Sequence, residues 1–81
     1  MSVAAAKVLL AGIRERNDDV FKVLDRLYRQ RRLTLAHMRA LRAGTSPRGA
    51  TGDQITLIEE AARAADHALR CKGLLPMTEA A

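Results

Sequence analysis

From Val3 to Ala43 the chain contains no proline and a single glycine, Gly12, and its apolar residues recur at helical spacing. Leu10, Ile13, Val20, Leu24, Leu27, Met38 and Leu41 share one side of a helix wound at 3.6 residues per turn. Written as heptads, the inward pairs are Leu10/Ile13, Asn17/Val20, Leu24/Leu27, Arg31/Thr34 and Met38/Leu41. The second pair is half polar and the fourth fails. Two readings of Asn17 follow. A polar Asn inside an apolar seam of Leu10, Ile13, Asn17, Val20, Leu24 and Leu27 fixes register in a helical dimer. Alternatively Asn17, followed by Asp18, caps a new helix after a turn. At the failed pair, Thr34 is a suitable cap before a fresh pattern of Leu35, Met38 and Leu41. The expected elements are helix 1 over Val3 to Arg16, helix 2 over Asp18 to Arg31, with the two open to being one rod, and helix 3 over Thr34 to Ala43.

Residues 44–52 hold three glycines and Pro47, which no regular element tolerates, so a flexible loop is expected there. Asp53 or Thr51 then caps a last helix running to about Lys72, stopped by Gly73 with Pro76 beyond it. Acids at its start (Asp53, Glu59, Glu60) and cations at its end (Arg70, Lys72) suit the helix dipole. Its two apolar rows, Ile55-Ile58-Ala62-Ala65-Leu69 and Leu57-Ala61-Ala64-Ala68-Cys71, are rich in alanine and allow close approach of helices 1 and 2. A frayed tail is expected over 77–81. The predicted fold class is all-α: a single helical domain over 1–81, built as a small bundle or helical hairpin of three to four helices.

Composition sharpens this picture. With one Phe, one Tyr and no Trp, the core must be aliphatic. A chain of 81 residues buries a modest share of its surface, so a homodimer is an expected way to enlarge the core. The lone Cys71 gives no internal disulfide, which fits a cytoplasmic protein. The start of the chain has Lys7 within its apolar run, no basic region ahead of it and Ser2 where myristoylation requires Gly. Neither a leader nor a transmembrane segment is expected.

Charge changes the picture most. Arg26, Arg29, Arg31, Arg32, Arg39, Arg42 and Arg48 lie in a stretch with no Asp or Glu, and this run exceeds the net +5 of the whole chain. Elsewhere the charges nearly cancel. A local positive field implies a local negative partner, and arginine suits phosphate because its planar fork donates paired hydrogen bonds and keeps its charge. Together with His37, these residues form the candidate binding set.

Other chemistry is thin. His67 and Cys71 are four apart, a metal-compatible spacing, but two ligands do not make a structural site, so no metal or cofactor is expected. Gly44, Gly49 and Gly52 lack the strand and the Lys-Ser/Thr ending of a phosphate loop. Ser46-Pro47-Arg48 reads as a turn. Two histidines in a small bundle leave little room for a catalytic pocket, so no enzyme is expected. Leu33 to Met38 loosely resembles the opening of a helix-turn-helix unit, but a nine-residue loop and an acidic helix follow it. Two functions compete: a regulator binding DNA or RNA through phosphates, with little base stacking given so few aromatics, and an adaptor or inhibitor docking its arginines on an acidic protein surface, with Leu35, Met38 and Leu41 as apolar anchor. A membrane-surface helix is disfavoured by the lack of a Trp/Phe-rich face.

Overall fold

The computed structural model describes residues 3–77, and among them lie four helices and no strand. They are α1 (Val3–Arg14), α2 (Asp18–Arg29), α3 (Leu35–Gly44) and α4 (Gly52–Cys71). The tail expected to fray lies, apart from Met77, outside the described residues. The all-α class holds, and the bundle rather than the hairpin is what forms.

Helices 1 and 2 are separate, so the continuous rod is not formed. Arg16 takes a left-handed backbone (φ 55°). Its N–H bonds the Ile13 carbonyl, and the Asn17 N–H bonds that of Gly12. This paired pattern closes a helix C-terminus and leaves the next residue free to start another. Asn17 does so: its Oδ1 accepts from the backbone N–H of Asp19 (2.9 Å) and Val20 (3.4 Å). Asn17 is therefore a cap, and not a polar residue inside a seam. The same closure recurs after α2, with Arg31 at φ 59° and the Arg32 N–H on the Leu27 carbonyl. It recurs after α4 with Gly73 at φ 76°. Helices 1 and 2 thus each end two residues before the expected boundary.

The break also shifts the buried stripe of α1. Ala5, Leu9 and Gly12 are the buried residues, whereas Leu10 and Ile13 are half-buried at its edge. A heptad phase carried back across a turn had selected the flank of the stripe. Gly12 is required by close approach, since a Cβ there would stand 2.3 Å from Val20 Cγ2. The seam residues Val20, Leu24 and Leu27 are each about 1% exposed inside the single chain. A homodimer would have to use another surface.

α4 is the central helix, packing on all three others and most extensively on α3 rather than on α1 and α2 alone. Ala61, Ala62 and Ala65 are fully buried there, and the absence of bulk lets the backbones close. Gly44 belongs to α3 instead of the loop, and a Cβ on it would meet Ile58 Cδ1 at 2.8 Å and Leu10 Cδ2 at 2.9 Å, so the close packing there favours glycine. The connection that follows is 45–51, closed by Thr51. Its Oγ1 accepts from the Gln54 N–H while Gln54 Oε1 accepts from its own, so Thr51 and not Asp53 is the cap. After α4, Arg70 donates to the Pro76 carbonyl and to Asp66, and Leu75 is buried. α2 and α3 barely touch each other.

Candidate functional site

The arginines do not form one patch. On α2, the buried stripe of Val20, Val23, Leu24 and Leu27 fixes the helix rotation, and Lys22, Arg26 and Arg29 then fall within about 60° of one another on the solvent side. Arg39 and Arg42 are exposed on α3, and Arg48 is exposed in the turn after it. Because α2 and α3 flank the α1–α4 pair and scarcely meet, these three sit apart from the α2 group.

What the fold does bring together is the C-terminal end of α2 with the C-terminal end of α4. An open groove of about 430 Å³ between them is lined by Arg26, Gln30, Arg32, His67, Cys71 and Lys72. Arg26, Gln30 and Lys72 also line a second depression of about 450 Å³ with Lys22, Asp25 and Arg29. Arg29 in turn lines a third, of about 480 Å³, with Tyr28, Arg31, Leu33 and Leu35. The shared residues make one continuous path around the end of α2. Along it, among the described residues, stand Lys22, Arg26, Arg29, Arg31, Arg32 and Lys72 against a single carboxylate, Asp25. Lys72 is forty or more residues from every other cation on the path, and no pattern within a helix would have assigned it.

Internal bonds use little of this charge. Arg29 Nε lies 3.1 Å from Asp25 Oδ2, but both side chains are more than half exposed and such a pair is worth well under 1 kcal/mol. Arg32 Nη2 donates to the Ala64 carbonyl at 3.3 Å, tying the turn after α2 to α4. That gives Arg32 a structural duty the sequence did not disclose. Arg70 differs. Its Nε bonds Asp66 Oδ2 at 2.8 Å, and the bond holds the Asp66 carboxyl below its ordinary value, against an opposing effect of burial and with further help from the Arg70 charge.

His37 is neither a plain surface histidine nor open to phosphate. Its Nδ1 accepts the Thr34 backbone N–H at 3.0 Å, which places the ring proton on Nε2, 3.2 Å from Glu60 Oε2. The His37 N–H bonds Thr34 Oγ1 in return, so the histidine completes the cap of α3 and joins it to α4. The side chain is 14% exposed. Of the proposed apolar anchor on α3, Leu41 is buried in the core, Met38 is half-buried and Leu35 is 52% exposed.

His67 Nε2 and Cys71 Sγ are 3.4 Å apart in the first groove, and no group of three metal-ligating side chains gathers among the described residues. No helix there is long and apolar enough to cross a membrane. What the fold and site define is a small all-α bundle with a cationic path around one helix end. The chain matches no protein-family model, no curated protein and no solved structure.

Proposed function

We propose that this is a small basic regulatory protein, a binding module and not an enzyme, that holds nucleic acid mainly through phosphate contacts. The observation that carries the reading is the path around α2, where six cations meet one carboxylate and the fold uses only Arg32 for a cross-helix bond. Uncompensated cations on a solvated face repel one another, and a bound polyanion relieves that repulsion. Lys22, Arg26, Arg29, Arg31 and Lys72 make the contacts, and Arg39, Arg42 and Arg48 add to the field from the far side. Phosphate contacts of this kind position the backbone and read little sequence.

Five such contacts should lower affinity by about 500-fold between 50 and 200 mM salt. A titration of the protein with labelled DNA and RNA across that range is the test. A flat salt response, or no binding at 50 mM, removes the reading and turns attention to an acidic protein surface. That second reading is favoured by Leu35, half exposed beside Arg31 as an apolar anchor next to a cation.

A further inference from the structure

The chain's two aromatic side chains both stay outside the core: Phe21 is 41% and Tyr28 46% exposed, while the largest fully buried side chains are all Leu or Val. Burial of either ring would remove more apolar surface from water than any aliphatic residue here offers. Both sit on α2 seven positions apart, within about 20° of one another and about 10.5 Å along the axis. Their surroundings differ. Phe21 has Asp18 three positions before it and Asp25 four after it, whereas Tyr28 has Asp25 alone on its side of the helix, three positions before it and paired with Arg29. Tyr28 shares its depression with Arg29 and Arg31, and Arg29 also lines the neighbouring depression with Lys22 and Arg26. A phosphate on Arg29 and a base on the Tyr28 ring can therefore be held by the same nucleotide segment.

Resting on the phosphate-binding reading above, we infer that the nucleic acid is single-stranded, with an unpaired base stacked on Tyr28. In a duplex the base faces are hidden in the stack, whereas a single strand offers them freely. The small number of aromatics argued against stacking; their placement reverses that argument, because one exposed ring beside two arginines suffices for one base. Phe21 marks where the path ends.

Tyr28 is the chain's one tyrosine and there is no tryptophan, so intrinsic emission reports on it alone. Twelve-nucleotide oligothymidylate, oligoadenylate and a twelve-base-pair mixed duplex are titrated at 50 mM salt. The expected result is quenched Tyr28 emission with the single strands and tighter binding to them than to the duplex. Tyr28→Ala and Tyr28→Leu should weaken single-strand binding by about 5- to 100-fold and leave duplex binding unchanged, Tyr28→Phe should retain it, and Phe21→Ala should have little effect. Duplex binding as tight as single-strand binding, with unchanged emission, overturns this inference and leaves the phosphate reading standing. Equal losses in Tyr28→Leu and Tyr28→Phe overturn stacking in favour of a hydroxyl contact. Binding of none of the three probes overturns both.

Discussion

The turn between α1 and α2 and the turn between α2 and α3 are the same backbone device with opposite electrostatics. Each ends its helix on an arginine in the left-handed region, Arg16 and Arg31, and each hands over to a capping side chain, Asn17 and Thr34. Around the first, Arg14 and Arg16 are interleaved in sequence with Glu15, Asp18 and Asp19. Around the second, Arg29, Arg31 and Arg32 have one carboxylate within their own segment, Asp25, while Glu60 of α4 is engaged by His37. Glycine fits the left-handed position better, and α4 uses Gly73 there. Forming the turn therefore accounts for neither arginine, and only at the second turn is the charge left uncompensated. Apart from Arg32, the charge surplus at the second turn is separable from its folding.

Four experiments bear on that contrast. The largest effect should come from Leu33→Ala. Leu33 is 2% exposed and pins the second turn to the core, so losing it should cost about 2–3 kcal/mol and lower Tm by roughly 10 °C or more in thermal unfolding. Gly12→Ala strikes the first turn. The new Cβ falls on Val20, and after a helix-propensity gain of about 1 kcal/mol the net loss should be about 1–2 kcal/mol, partly restored by Val20→Ala.

The sharpest test pairs Arg16→Gly with Arg31→Gly. Relief of the left-handed backbone is worth about 1–2 kcal/mol and the greater freedom of unfolded glycine takes back about 0.5–1. Both variants should thus be slightly more stable. Only Arg31→Gly should weaken nucleic-acid binding and reduce the salt slope by about one. Equal effects of the two on binding would dissolve the contrast between the turns.

The smallest effect concerns a cation the fold does use. The Asp66 carboxyl is held below its ordinary value in the folded state, so the stability it contributes is present above the unfolded value of about 3.9 and is lost as pH falls through the lower folded value. Denaturant midpoints measured from pH 6 downwards should therefore fall below about pH 4, and Asp66→Asn should blunt that fall. Binding near neutral pH should be the same in Asp66→Asn, since Arg70 lies off the path.

Much of the fold was legible because helix formation and capping are local. The 3.6-residue period marked α2, Asn17 and Thr34 marked two helix starts, and Gly73 with Pro76 marked an end. The spacing Thr51-x-x-Gln54 carried a capping box that periodicity alone overlooked. Local pattern misled where a phase was carried through a turn, so that Leu10 was taken for Leu9. His37 escaped for a related reason: a histidine in the third position of a cap is an unusual partner, and Glu60 reaches it from another helix.

The candidate site divides in the same way. Local order along the chain was enough for an all-α class, its turns, its aliphatic core and a charge surplus confined to one stretch, since each depends on residues near in sequence. The packing of α4 under α2 brought Lys72 to Arg26, set Arg32 on Ala64 and parted Arg39 and Arg42 from the rest. Which cations lie together, and that both rings stay partly in solvent, follows from the packing of the helices, because proximity across forty residues is set by which helix faces bury each other.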